Sequence, residues 1–110
     1  MSDKNSHLGE FEHLLLLALM QLGGKSHGTL IRHNLKDLVN RDASIGALYA
    51  TLERMEKKGY VTSSVGEPTA ERGGRAKRYF EVTAEGKKLL KQTKKNLEVM
   101  WQGVQLWQNL

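Results

Sequence analysis

Four cations stand within one short segment of the chain, at Arg72, Arg75, Lys77 and Arg78. Guanidinium and ammonium groups pair with phosphate oxygens, and the two glycines inside the segment let the backbone approach a surface closely. This spacing indicates a segment that binds a polyanion, by clamping phosphates or by placing an arginine in the minor groove of a duplex. The alternative is a solvated turn, because Glu67 and Glu71 precede the cations, and this acidic half has no assigned role.

The histidines offer no comparable chemistry. They are His7, His13, His27 and His33. No two of them stand four residues apart on one helix, and no neighbouring carboxylates complete a metal-ligand spacing. The sequence also contains no Cys, no nucleotide-binding loop and no Gly-x-Ser-x-Gly motif. It therefore predicts no catalytic site, no metal and no cofactor, and we do not expect an enzyme.

Charge and length narrow the class of protein further. A chain of 110 residues predicts one folded unit. Its net charge of +5 is uneven, since the part from Arg54 to Lys95 carries +7 and the remainder carries −2. This concentration indicates a polyanionic partner. The longest apolar run, Leu14 to Met20, is too short to cross a membrane, so we expect a soluble, cytoplasmic protein.

Hydrophobic spacing predicts a helical scaffold for these residues. Apolar residues recur every three or four positions from His7 to Leu22, which predicts a deeply buried first helix that ends at Gly23. Ser26 and Ser44 are candidate caps of a second and a third helix, and Gly59 fits the end of the third. The expected apolar faces are Leu30, Ile31, Leu35, Leu38 and Val39 in the second helix and Ile45, Leu48, Leu52 and Met55 in the third.

The period changes after the third helix. Two strand-like runs, Tyr60 to Val65 and Lys77 to Val82, enclose a long polar tip and predict a β-hairpin, and Thr83 caps a last helix that reaches about Trp107. Three helices followed by a hairpin are the order of a winged helix-turn-helix domain. We therefore expect a mainly α fold with a small β-hairpin, in which residues 7–82 bind DNA and residues 83–110 form a long C-terminal helix.

The face of the third helix opposite its core residues is small or polar. It comprises Ser44, Gly46, Ala47, Ala50, Thr51, Arg54 and Lys57. Small residues near the helix N-terminus allow close approach to base edges, and the two cations near its end can reach flanking phosphates. This pattern favours contact with the major groove of DNA, although an ordinary polar surface helix has similar residues.

Four blocks in order resemble the PadR family of bacterial transcription regulators. They are Gly46-Ala47-Leu48-Tyr49, the run Leu52 to Gly59, the run Gly74 to Phe80, and Thr83-Ala84-Glu85-Gly86. The resemblance covers about Leu8 to Trp107 and implies a dimeric winged-helix repressor, with Tyr49 near the DNA backbone and the hairpin as wing. The chain departs from the family pattern at Ala50, where Pro is frequent, and at Thr29, where an aromatic residue is common.

The last helix carries an apolar seam that predicts an interface. Its residues are Leu90, Leu97, Met100, Trp101, Val104 and Trp107. A small domain cannot cover this seam alone, so a second copy is the expected partner. The resemblance to the shorter members of the PadR family implies the same, since those proteins dimerise through their C-terminal helix. The alternative is that the seam folds back on the first helix. A homodimer would bind a pseudo-palindromic operator in double-stranded DNA, with half-sites ~34 Å apart.

Three further alternatives concern partners. Trp101 and Trp107 are expected to anchor the interface. Flat side chains near a two-fold axis can also line a pocket for a ligand. The resemblance to the PadR family implies such a pocket, because relatives sense small aromatic or apolar effectors. The hairpin segment Arg72 to Arg75 is compatible with an RNA-binding module. The last helix is compatible with a protein-interaction adaptor. The leading hypothesis remains a homodimeric DNA-binding repressor.

Overall fold

The computed structural model describes residues 7–66 and 76–104 of the chain. In these ranges the elements are α1 (Glu10–Gln21), β1 (Lys25–His27), α2 (Gly28–Val39), α3 (Ile45–Lys57), β2 (Val61–Val65), β3 (Arg78–Val82) and α4 (Ala84–Val104). The predicted fold class is confirmed, since a small antiparallel sheet accompanies three helices and a long C-terminal helix. No helix in the described part of the chain has the length and apolarity needed to cross a membrane.

The turn residues act largely as the sequence predicts. Ser44 caps α3, because its Oγ accepts a hydrogen bond from the Ala47 N–H at 3.1 Å. Gly59, with φ of 87°, follows α3 in the left-handed conformation that glycine adopts without strain. Thr83 caps α4, since its Oγ1 accepts from the Gly86 N–H at 3.0 Å. The expected cap Ser26 is different, because this residue lies in β1 and α2 begins only at Gly28.

The sheet has three strands in the order β1-β3-β2, and both pairings are antiparallel. Phe80 in the central strand lies opposite Ser26 on one side and Ser63 on the other. Side chains alternate between the two faces of a strand, so Arg78, Phe80 and Val82 share one face. Phe80 and Val82 are buried, and this face of the sheet therefore closes the core.

The core collects one stripe from each of the first three helices and the inner face of the sheet. Its largest fully buried members are Leu15, Leu16, Leu19, Ile31, Leu48, Leu52, Met55, Val61 and Phe80. Several residues expected in the core are instead exposed, namely Leu17, Met20, Leu30, Leu38, Val39 and Ile45. A helix buries only the stripe that faces its neighbours, so an apolar surface nearly all round α1 exceeds what this small domain can cover.

The C-terminal helix is attached to the domain at its first turn. The Gly86 N–H binds Thr83, and the Thr83 Oγ1 donates to the Gly59 carbonyl at 2.6 Å. A Cβ at Gly86 would collide with the carbonyl oxygen of Tyr60, so the close approach of α4 to this loop requires glycine. Beyond this point α4 packs against α1 and β3, while Leu97 to Trp101 lie exposed.

Candidate nucleic-acid interface

One side of α3 faces away from the core and carries most of the predicted base-proximal residues. The exposed members are Ser44, Gly46, Ala47, Ala50, Arg54 and Lys57. A Cβ built at Gly46 would meet no atom of the described residues within 4 Å, so the start of this face is open. The opposite side buries Leu48, Leu52 and Met55. This arrangement leaves a narrow, small-residue surface with two cations at its C-terminal part.

Thr51 does not lie on this exposed face, contrary to the sequence interpretation. The residue is only 5% exposed, and its Oγ1 accepts a hydrogen bond from Nη2 of Arg54 at 3.2 Å. The reason is helical geometry, since residues three and four apart occupy one side of a helix. Thr51 follows Leu48 by three positions and precedes Met55 by four, which places it with the core. Its hydroxyl orients Arg54 and does not itself present a group to the surface.

Tyr49 anchors α3 to the rest of the domain. Its ring centroid lies 5.9 Å from that of Phe80 on β3. On its other side the phenol reaches α2, where a Cβ at Gly28 would lie 2.7 Å from the Tyr49 hydroxyl oxygen. A side chain at the first residue of α2 would therefore displace the tyrosine ring. Tyr49 is half-buried, and the expected proximity to the DNA backbone remains a prediction.

The α3 helix is also held at its C-terminal end. Nζ of Lys58 donates to Oε2 of Glu12 at 3.0 Å, and Oε1 of the same carboxylate accepts from the Gly9 N–H at 2.9 Å. Burial alone would raise the pKa of the Glu12 carboxyl, but the Gly9 hydrogen bond and the Lys58 charge outweigh it and hold this pKa below its ordinary value. The charged pair therefore links the start of α1 to the end of α3.

Lys77 directly precedes β3, and Arg78 is the first residue of this strand. Neighbouring side chains of an extended chain alternate, so the two cations lie on opposite faces of the hairpin. Lys77 is exposed, and its carbonyl accepts from the Gly66 N–H at 2.7 Å, which closes the described part of the hairpin. Burial lowers the pKa of the nearby His27 imidazole, and the positive charge of Lys77 lowers it further. Arg72 and Arg75, the other predicted phosphate ligands of the wing, lie outside the described residues.

Arg78 is engaged within the protein. Its Nη1 donates to Oε2 of Glu53 at 2.8 Å, and its Nη2 donates to Oε1 of Glu56 at 3.2 Å. Ser63 on β2 completes the cluster, because its Oγ donates to Oε2 of Glu56 at 2.8 Å. Sequence reasoning missed the two glutamates and the serine. The available signal was alternation along β3, which puts Arg78 on the same face as the buried Phe80.

The predicted dimer seam on α4 is packed against the domain at its start and exposed to solvent farther along the helix. Leu90 is half-buried and packs against the core, whereas Leu97, Met100 and Trp101 are exposed, Met100 by 71%. Val104 is half-buried, and Trp107 lies outside the described residues. A groove of about 800 Å³ runs between α1 and α4, lined in part by Leu17, Leu97 and Trp101.

In the described ranges no cluster of three or more His, Asp or Glu residues is placed to hold a metal ion.

Solved transcriptional regulators and a winged-helix DNA-binding protein share this architecture. A PadR-like transcriptional regulator from Bacillus cereus gives a TM-score of 0.69 at 22% identity, over 91% of this chain and 93% of that one. A winged-helix DNA-binding protein from STIV gives 0.67 at 13% identity, over 84% and 91%. An organohalide-sensing transcriptional regulator, solved in its 2,4-dichlorophenol-bound form, gives 0.66 at 20% identity, over 94% of this chain and 55% of that one.

Sequence comparison goes beyond the fold. A search of curated proteins gives no significant match. Residues 16–92 match the profile of the transcriptional regulator PadR-like family, a stretch that begins inside α1 and ends inside α4. Members of this family regulate transcription and are not enzymes, which agrees with the function class expected from the sequence. The chain belongs to the PadR-like family of transcriptional regulators.

Proposed function

We propose that the protein is a homodimeric, sequence-specific repressor that binds a pseudo-palindromic operator in double-stranded DNA. The observation that carries the proposal is the exposed side of α3, where Gly46, Ala47 and Ala50 form a surface narrow enough for the major groove. A winged-helix regulator of this kind acts in the cytoplasm, where the DNA lies. Repression follows when the bound dimer occupies a site that the transcription machinery needs.

The residues of the interface divide into two groups. Ser44, Gly46, Ala47 and Ala50 lie at the N-terminal part of α3, where recognition helices approach base edges. Arg54, Lys57 and Lys77 are exposed cations that neutralise phosphates on either side, and the sequence assigns the same role to Arg72 and Arg75. Tyr49 adds its hydroxyl near the backbone. The first group sets sequence preference, and the second supplies affinity that depends on salt.

The proposal of a homodimer rests on apolar surface that the described domain leaves exposed. Trp101 is 54% exposed, and it stands beside Leu97 and Met100 on α4 and close to Leu17 on α1. Contiguous apolar side chains in water favour association, and a second copy covers them symmetrically. A two-fold axis through paired α4 helices would present two α3 helices to successive major grooves, ~34 Å apart.

We assign a small aromatic or apolar ligand to the groove between α1 and α4. Leu17, Leu97 and Trp101 supply apolar contacts there, and Lys91 and Lys94 line the same groove. The likeness to a regulator solved with 2,4-dichlorophenol supports this assignment. A ligand that prefers one arrangement of α4 would change the spacing of the two α3 helices and release the operator.

One experiment tests the central claim. Duplexes bound by the purified protein are selected from a random or genomic pool, and the affinity for the selected duplex is measured against salt. We expect a two-fold symmetric site and a log affinity that falls linearly with log salt, by about 0.9 for each neutralised phosphate. A slope near zero would refute phosphate neutralisation. Preferential binding of single-stranded RNA would instead favour the RNA-binding alternative.

A further inference from the structure

Arg78 connects the wing to the recognition helix through two carboxylates. Glu53 and Glu56 are three residues apart, so both project from one side of α3. The guanidinium of Arg78 meets each of them with a different nitrogen, at 2.8 Å and 3.2 Å. A planar guanidinium can bridge two acceptors in a fixed geometry, which the ammonium of a lysine does not do. The arginine therefore restrains the direction of β3 relative to α3.

The rest of the cluster fixes the same arrangement. The guanidinium carbon of Arg78 lies 4.9 Å from the centroid of the buried Phe80 ring, two residues along the same strand. Its Nη2 also lies 3.4 Å from Oγ of Ser63, and this hydroxyl donates to the second oxygen of Glu56. Both oxygens of Glu56 thus accept hydrogen bonds from the hairpin. The cluster joins α3, β2 and β3 at the base of the wing.

The charges of the cluster argue against a direct role of Arg78 at phosphate. Arg78, Glu53 and Glu56 together carry −1, so the cluster as a whole does not attract a polyanion. Turning Arg78 toward a phosphate would break both ion pairs and leave two carboxylates without their cation beside the DNA. Lys77, the neighbouring cation, is exposed and has neither glutamate among its described hydrogen-bond partners.

We propose that Arg78 is a positioning residue of the DNA-binding surface. It holds the wing at a fixed angle to α3 through Glu53 and Glu56 and does not itself neutralise a phosphate. This inference rests on the proposed function, because an angle between wing and recognition helix affects affinity only where both contact one duplex.

The first test compares substitutions whose effects on affinity differ in sign. Glu56→Gln removes a negative charge near the DNA, which by itself would strengthen binding. If Glu56 holds Arg78 in place, the variant binds the operator more weakly instead, by roughly two- to fivefold. Glu81→Gln is the matched control, since Glu81 is exposed on the other face of the same strand and its loss of charge should leave binding unchanged or slightly tighter. Tighter binding by Glu56→Gln than by the control would overturn the proposal.

The second test compares two adjacent cations. Arg78→Gln should weaken binding by a similar factor at every salt concentration, because no counterion is released at this residue. Lys77→Gln should reduce the slope of log affinity against log salt by about 0.9 and lose its effect at high salt. Arg78→Lys keeps the charge but cannot bridge both glutamates, so it should restore little of the lost affinity. Full rescue by lysine, or a reduced slope in Arg78→Gln, would show that Arg78 acts as a phosphate ligand.

A measurement without DNA separates this inference from the proposed function. The chain contains no Cys, so spin labels can be introduced at Ala50→Cys on α3 and Val65→Cys on β2, both of which are exposed. The distribution of distances between the labels should be narrow in the otherwise native chain and broader with Arg78→Gln or Glu56→Gln. An unchanged distribution would contradict the positioning role. If the native protein bound no duplex, the proposed function would be refuted. The distance distribution would still test whether Arg78 positions the wing.

Discussion

The ammonium nitrogen of Lys58 lies 3.0 Å from Oε2 of Glu12, and this pair joins the end of α3 to the first turn of α1. The Glu12 side chain is only 9% exposed, whereas that of Lys58 is 45% exposed. The carboxylate is therefore the buried partner, and its second oxygen is already bound to the Gly9 N–H. The same helix α1 also lines the groove beneath α4 with His13 and Leu17.

Replacing the buried carboxylate should lower stability in a way that depends on pH. Glu12→Gln keeps the size of the side chain but loses the ion pair, and we expect the free energy of unfolding at pH 7 to fall by about 1 kcal/mol. The pKa of Glu12 is lowered in the folded state, so its contribution is present above the ordinary value of 4.5 and is lost as the pH falls toward the folded pKa. Urea denaturation at several pH values measures both effects.

The control for this prediction is Glu10→Gln. Glu10 also pairs with an arginine, Arg41, at 3.0 Å, but its side chain is 74% exposed. Water and salt screen such a pair, so the free energy of unfolding should hardly change. Equal losses in the two variants, or a Glu12→Gln variant that keeps the full pH dependence of the native protein below the ordinary carboxyl pKa of 4.5, would show that burial of Glu12 is unimportant.

The same substitution should destabilise the protein at one glycine of α4 and not at another. In Gly86→Ala the new methyl group would collide with the Tyr60 carbonyl oxygen and approach Cγ1 of Val82 at 3.0 Å. We expect the free energy of unfolding to fall by about 1–3 kcal/mol, because a backbone carbonyl cannot move aside cheaply. Thermal unfolding followed by circular dichroism measures the change.

Gly103→Ala is the matched control in the same helix. A Cβ at Gly103 would meet no atom of the described residues within 4 Å, and alanine favours a helix over glycine by up to ~1 kcal/mol. This variant should therefore be as stable as the native protein or more stable. A Gly86→Ala protein that unfolds at the native temperature would mean that α4 does not approach the Tyr60 loop as closely as the structure has it.

The proposed contacts of α3 should separate specificity from affinity. Ala50→Asn adds a hydrogen-bonding group at the exposed face and should change which operator is preferred, since each base mismatch typically costs about 1–3 kcal/mol. Lys57→Gln should weaken binding to all operators alike and reduce the salt slope by about 0.9. Selection from a random duplex pool and salt titrations measure these outcomes. A uniform loss in both variants would contradict the proposed division of labour.

Thr51→Ser serves as the control within α3. Thr51 is buried, and a serine retains the hydroxyl that accepts from Arg54, so operator preference should not change. A change of preference in this variant would place Thr51 at the bases despite its burial, and the assignment of the exposed face would then be wrong.

Local patterns in the sequence predict most of the fold, because each helix has its own apolar period and its own terminal signals. The strand β1 escapes such reasoning. Its residues Lys25, Ser26 and His27 show no apolar alternation, and they form a strand because β3 lies beside them and pairs Ser26 with Phe80. A tertiary contact therefore overrides the local preference of Ser26 for a helix cap.

The sequence predicts most residues of the candidate site but not the ion pairs that they form. Helical periodicity predicts the exposed small residues of α3. Thr51 is the exception, because the sequence interpretation assigns it to the exposed face and it is buried at the edge of that face. The partners of Arg78 could not be predicted in the same way, because Glu53 and Glu56 are separated from it by 25 and 22 residues along the chain. Only the three-dimensional arrangement of β3 and α3 shows that this cation is compensated.

The exposed seam of α4 leads to the last prediction, which concerns assembly. Leu97→Lys places a charge in the middle of the proposed interface, where desolvation without a partner is costly. We expect the native protein to sediment as a dimer and the variant as a monomer of unchanged helix content. The monomer should also bind the full operator at least tenfold more weakly, because one copy contacts a single half-site.

Gln92→Lys provides the control for a lysine added to the same helix. Gln92 is exposed and bonds to Asn96 at 2.9 Å, and it does not line the groove between α1 and α4. This variant should remain dimeric and bind the operator normally or slightly more tightly. A native protein that sediments as a monomer at micromolar concentration would contradict the homodimer, and the apolar seam would then need another partner. A dimeric Leu97→Lys protein would move the interface away from the exposed part of α4.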